Sequence, residues 1–145
     1  MKVSMKGDYG VRALVELAHH YGEGPVQSAA IASRQCIPEP YLDQLLTSLR
    51  RAGFIRSVRG PQGGHALIKD PRELRLSDAI GALEGSLAPI ACLDDPNGCR
   101  GTASCSLKPV WQEIEAETTR ILQNITIADL AERERAAGAV ARYAI

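Results

Sequence analysis

Three of the chain's four cysteines, Cys92, Cys99 and Cys105, fall in the stretch "ACLDDPNGCRGTASC", among glycines, a proline, an asparagine and two aspartates. Thiolates are soft ligands and redox-active nucleophiles, so the chemistry open to this loop is metal or cluster ligation, or thiol–disulfide exchange. Gaps of six and five residues are wider than the roughly two to four found within a zinc knuckle. Soft thiolates on a glycine-containing loop can instead wrap a body larger than one ion, and an iron–sulfur cluster, either 2Fe-2S or 4Fe-4S, fits the ligand type and the reach. Three thiolates leave one coordination position open. Spacing alone leaves zinc and a cluster-free thiol switch in view. Cys36, far from the loop in sequence, reads as a small buried residue.

The rest of the chain sets the compartment. At 145 residues, with 45% hydrophobic and 23% charged side chains, it can bury one core and carry a helical extension, but not a second full domain. No apolar run approaches the roughly 18 residues of a membrane span, and "MKVSMKGDYG" lacks the apolar core of a secretory signal. A cytoplasmic location is expected, where clustered cysteines serve as ligands or sensors rather than structural disulfides. The formal net charge is zero, yet residues 1–75 hold 11 Lys/Arg against 7 Asp/Glu and the remainder 6 against 10. The excess concentrates in 50–75, around Arg50, Arg51, Arg56, Arg59, Lys69, Arg72 and Arg75. A local basic patch can meet phosphate even when the whole chain is neutral.

Elements that could use such a patch surround it. Leu14, Leu17, Ala18 and Tyr21 recur at helical spacing over 7–21 until "YGEGP" stops the helix. Ser28 is placed to cap a second helix, "AAIASRQ", which ends at "CIP". Pro40 then opens a third helix with an apolar stripe of Leu42, Leu45, Leu46 and Leu49, ended by Gly53. "FIRSV" and "HALIK" read as two strands joined by the tip "RGPQGG". A helix pair followed by a basic-tipped hairpin is a winged helix-turn-helix, in which the third helix enters the major groove and the wing reaches phosphate or minor groove. Glu39, Tyr41, Asp43 and Gln44 lie where base edges would be met, although Tyr41 also suits the core and Glu39 the helix dipole. Arg59 at the tip suits a narrow minor groove.

Beyond the wing, "LSDAIGALEG" reads as a helix capped by Ser77 and closed by Gly85. After the cysteine loop, Trp111, Ile114, Thr118, Ile121 and Ile125 form a heptad-like stripe flanked by Glu113, Glu115, Glu117 and Arg120. Such a stripe suits packing along a symmetry mate, which a two-fold DNA site requires, or ordinary packing within the chain. "TIAD" has the form of a capping box, Thr126 with Asp129, opening a last helix. The expected fold is mostly α with a small β-hairpin wing: a winged helix-turn-helix over 1–85, a cluster-binding loop over 86–105, and a dimerisation helix with a C-terminal helix over 106–145. An enzyme is not expected, because "RGPQGG" sits on a hairpin rather than before a helix and no nucleophile–base arrangement is readable. A module that binds only proteins would leave the recognition helix and wing without a use.

Taken together, "MKGDYGVRALVELA", "IPEPYLDQLLTSLRRAGFIRSVRGPQGGHAL", the three-cysteine loop and "ITIADL" resemble the Rrf2 family of bacterial winged-helix regulators over nearly the whole chain. The resemblance implies a homodimer joined through a helix at about 106–124 and a cluster held by Cys92, Cys99 and Cys105. It also implies DNA contacts from Pro38, Pro40, Tyr41, Asp43 and Arg59, to which the basic patch adds Arg50. Where its IscR-like group has a histidine three residues after the third cysteine, this chain has Lys108, a poor ligand. Asp8 occupies the position from which, in the NsrR-like group, an aspartate reaches the partner subunit's cluster, and it also suits the first turn of a helix. His19, His20 and His65 lack cluster-ligand spacing.

Overall fold

The computed structural model describes residues 2–95, 97 and 105–143, with side chains as far as residue 138. Helix α1 (Met5–His19) is the hub, packed against α2 (Ser28–Gln35), α3 (Glu39–Arg51), α4 (Leu76–Glu84) and α6 (Ile127–Tyr143). Its buried face carries Ala13, Leu14, Leu17 and Ala18, and α3 adds Leu42, Leu45, Leu46 and Leu49 at the anticipated spacing. Between them, strands β1 (Ile55–Val58) and β2 (Gly64–Leu67) form an antiparallel hairpin whose register sets Ile55 against Leu67 and Ser57 against His65. After α4 come a single 3-10 turn (Ala91–Leu93), then α5 (Lys108–Gln123) and α6. Close approach of α1 to α4 depends on Gly10, where a Cβ would lie 2.5 Å from Leu83 Cδ1.

Several ends differ from expectation. Helix α1 starts at Met5 because the Ser4 hydroxyl accepts from the Gly7 N–H at 3.3 Å, and it stops before Tyr21, which is exposed. Ser28 is not a cap: it is the first residue of α2, Gln27 precedes it without a side-chain capping bond, and the Ser28 hydroxyl turns to His65 instead. Ser77 likewise lies inside α4, whose N-cap is Arg75. Cys36 is exposed rather than buried. It closes α2 in the left-handed conformation, φ 55°, and that turn gives the buried place to Ile37. The Thr126–Asp129 capping box is present in both directions, with Thr126 N–H donating to Asp129 Oδ2 at 2.9 Å and Asp129 N–H to Thr126 Oγ1 at 3.1 Å.

The C-terminal helix returns to the winged unit. Ile127 and Ala131 are buried in the same core as α1 and α3, and backbone bonds from Leu76 to Ile125 and from Ile127 to Leu74 fasten its start. A polar clasp reinforces the contact. The Glu16 carboxylate, 4% exposed, accepts from Gln35 Nε2 at 3.1 Å and Arg34 Nη1 at 3.0 Å and lies 3.3 Å from His20 Nε2. Gln35 Nε2 also donates to Glu134 of α6 at 2.9 Å. Burial pushes the Glu16 carboxyl up, but the bonds from Gln35, Arg34 and His20 outweigh it and hold the group below its usual range. A carboxyl lowered in the folded state contributes stability above its ordinary value, and loses it as pH falls through the folded one. Glu16→Gln is therefore expected to cost about 2 kcal/mol near neutrality, the scale of a hydrogen bond to a charge. In urea melts across a pH series, the gap from the parent should close toward pH 3; a constant gap would mean the carboxylate charge contributes nothing.

Candidate DNA interface and cysteine loop

At the N-terminal end of α3, Pro38, Glu39, Pro40, Asp43 and Gln44 are exposed, forming a surface that can only accept hydrogen bonds at its two carboxylates. Tyr41 is half-buried, its ring edge-on to Tyr9 at 5.7 Å. The helix begins with Glu39 and ends with Arg50 and Arg51, both exposed, so cations sit where the dipole is negative and the wing begins. Arg56 on β1 and Arg59 at the hairpin tip are also exposed. Arg50 Nη1 donates to Ser57 Oγ at 3.2 Å, joining the recognition helix to the wing.

One histidine that sequence reasoning left without a role, half-buried His65, joins the wing to the start of α2. His65 Nδ1 is 3.0 Å from Ser57 Oγ and its Nε2 is 3.0 Å from Ser28 Oγ, and its backbone exchanges two 2.8 Å bonds with Val26. Burial and the neighbouring Arg50 push its pKa below the usual histidine value, against a smaller opposing effect of Asp43. The strand register was the available signal, since pairing "FIRSV" with "HALIK" puts Ser57 opposite His65.

Of the loop cysteines, Cys92 sits half-buried in the 3-10 turn packed on α5, and Cys105 is exposed three residues before Lys108, the first residue of α5. Both are free thiols. Cys99 lies outside the described residues. The Ser86 hydroxyl donates to Asp94 Oδ1 at 2.7 Å, tying the loop back to the segment after α4. Reduced thiols at both ends of a segment that leads into α5 suit a thiolate-bound group in their chemistry. Asp8, in the first turn of α1, is partly exposed and accepts from Arg12 Nε at 2.7 Å. Lys108 is exposed at the start of α5. Among the described residues, another set of potential metal ligands, Glu16, His19 and Glu134, converges to within 4.8 Å. These groups belong to the clasp: His19 Nε2 is 3.1 Å from Glu134 Oε1, and Gln35 joins Glu134 to Glu16.

Helix α5 itself has no buried residue. Trp111, Ile114 and Thr118 are half-buried, while Leu107, Val110 and Ile121 are about half exposed at 56%, 47% and 50%. No helix among the described residues is long and apolar enough to cross a membrane.

Comparison with known proteins supports the winged-helix reading. A family model described as Rrf2, iron-dependent transcriptional regulator, matches residues 3–133. The regulator IscR of Serratia proteamaculans is 37% identical over 92% of this chain and 81% of its own length, and CymR of Bacillus subtilis is 36% identical over 90% of each. Among solved structures, T. potens IscR superposes with a TM-score of 0.74 at 42% identity, covering 94% of this chain and 90% of that one. CymR, the global cysteine regulator of B. subtilis, superposes at 0.78 with 34% identity over 92% and 98%. With the family model spanning most of the sequence and the helices and hairpin in place, the chain belongs to the Rrf2 family of DNA-binding, winged-helix transcriptional regulators, and it is not an enzyme.

Proposed function

We propose that this regulator is a cytoplasmic homodimer that senses iron–sulfur status, redox state or nitric oxide through an iron–sulfur cluster held by Cys92, Cys99 and Cys105, with Asp8 of the partner subunit as the fourth ligand. The observation that carries the reading is that Cys92 lies in a turn packed on α5 and Cys105 three residues before it, a helix whose apolar side is only partly covered. When bound, the cluster would supply a centre whose ligation responds to oxidants, nitric oxide and iron supply. The protein's own part would be to hold three thiolates on the segment leading into α5, so that losing a thiolate bond would free that segment. Because α5 connects directly to α6, and α6 is clasped to α1 and α2, a shift of α5 alters the spacing of the two recognition helices. Iron and acid-labile sulfide counted in anaerobically purified protein, with operator affinity before and after cluster removal, test the reading. A cluster-free thiol or zinc regulator is the second reading, favoured by the equal similarity to the global cysteine regulator CymR.

On the DNA side, the exposed start of α3, with Pro38, Glu39, Pro40, Tyr41, Asp43 and Gln44, would lie in the major groove, Arg50 near the backbone and Arg59 in the minor groove. Arg59→Ala is expected to weaken binding about 10-fold on a site selected from random duplexes, the scale of one good groove contact. The loss should be largest where the flanking minor groove is A·T-rich and narrow. An equal, small loss on every sequence would assign Arg59 to phosphate only.

A further inference from the structure

We infer that His65 is a positioning residue for DNA recognition: it locks the wing to the helix-turn-helix through an Arg50–Ser57–His65–Ser28 chain, so that Arg59 and the recognition helix reach their two grooves together. The inference rests on the DNA interface proposed above and adds a residue that touches no base or phosphate in that scheme. Arg50 sets the direction of the first bond, and the His65 tautomer with its hydrogen on Nε2 satisfies the rest of the chain. Arg50 has only hydrogens to give, so Ser57 Oγ accepts from it at 3.2 Å. The Ser57 hydroxyl then has its own hydrogen for His65 Nδ1 at 3.0 Å. With Nδ1 accepting, the neutral imidazole carries its hydrogen on Nε2 and donates it to Ser28 Oγ at 3.0 Å.

That chain crosses α3, β1, β2 and α2 without a break, and it holds the outer part of the hairpin beyond the core-buried base pair Ile55–Leu67. Backbone contacts bring the same elements together. Val26 and His65 exchange N–H to carbonyl bonds of 2.8 Å in both directions. At Gly64, φ 152°, a Cβ would run into the Val26 carbonyl oxygen. At the tip, Gln27 Nε2 donates to the Pro61 carbonyl at 3.3 Å. The backbone contacts draw the hairpin against the start of α2, and the imidazole chain selects one orientation there, because only a planar ring with nitrogens on two sides bridges both serines. Arg59 follows Ser57 by two residues, just past the last strand pair Val58–Gly64, so the Ser57–His65 contact sets the position from which the tip projects.

A double-mutant cycle on the full-length chain tests this, using a duplex selected by the parent protein. Affinities are measured by fluorescence anisotropy for the parent, His65→Ala, Arg59→Ala and the double variant, with thermal melts alongside. If His65 aims Arg59, His65→Ala weakens binding about 10-fold while the melt shows a folded protein, and Arg59→Ala then costs less than 2-fold in that background. Should His65→Ala fail to fold, Ser28→Ala removes the last link with a smaller loss of volume and must give the same coupling. Independent, multiplicative losses overturn the inference and leave the DNA interface standing. An Arg59→Ala variant as tight as the parent overturns the wing contact and the inference with it.

Discussion

Protein purified without oxygen is expected to carry iron and acid-labile sulfide in stoichiometric amounts, and Cys92→Ala, Cys99→Ala and Cys105→Ala are each expected to lose both. If the cluster is held as proposed, the effect is all-or-none, because three thiolates would supply nearly the whole ligand set and a segment that loses one would no longer close around it. Neither described loop cysteine is buried deeply enough for its loss to threaten the fold: Cys105 is exposed and Cys92 half-buried outside the main core. Melting temperatures of the apoproteins should therefore match, which separates loss of ligand from loss of structure. Asp8→Ala probes the fourth position. Its carboxylate is partly exposed and pairs with Arg12 within one chain, so its removal costs little stability. If Asp8 is a ligand, the variant keeps a cluster with altered absorbance and faster loss in air; if absorbance and lifetime match the parent, Asp8 merely favours the helix start. Zinc in place of iron, or colourless protein after anaerobic reconstitution, would move the assignment to a metal-dependent or thiol-switch regulator of the same fold.

What could be read from the residues differs by range of interaction. The stripe of α3, the hairpin, the stop at Gly85 and the reciprocal Thr126–Asp129 cap are written in spacings of two to five residues, and all are present in the structure. Ser28 shows where local reading fails. A serine before an apolar run is a cap by default, but His65, 37 positions away, competes for its hydroxyl. Glu16 looks like a polar break in an apolar face until Gln35 and Glu134 arrive from other helices to surround it. The same is true of α6, whose Ile127 and Ala131 complete the core of a unit that local pattern ends near Gly85. The site divides likewise: cysteine types and the basic hairpin are visible as composition, whereas the histidine between wing and helix pair depends on a register and a long-range contact.

The uncovered side of α5 leads to the last prediction. Leu107, Trp111, Ile114, Thr118 and Ile121 recur at heptad-like spacing, yet nothing on the helix is buried and Ile121 is 50% exposed. The part of this stripe left in water is a standing cost, at roughly 25 cal/mol per Å², that a second copy of the helix can remove. Lysine at position 121 is easily hydrated in a single chain but not in a helix–helix seam, so Ile121→Lys should leave the winged unit folded and split the proposed dimer. Sedimentation is expected to report a species of 15.6 kDa for the variant against twice that mass for the parent. Operator affinity should fall about 100-fold or more, because two half-sites bound through one rigid body gain the effective concentration that separate chains lack. The carboxylates beside the stripe cannot replace that seam, since Glu117 is already paired with Arg120 on the exposed surface. A variant that stays dimeric would place the interface elsewhere, and a monomer that binds as tightly as the parent would detach DNA recognition from α5. In that case the cysteines, of which Cys92 sits in the turn packed against α5, would lose their proposed route to the DNA.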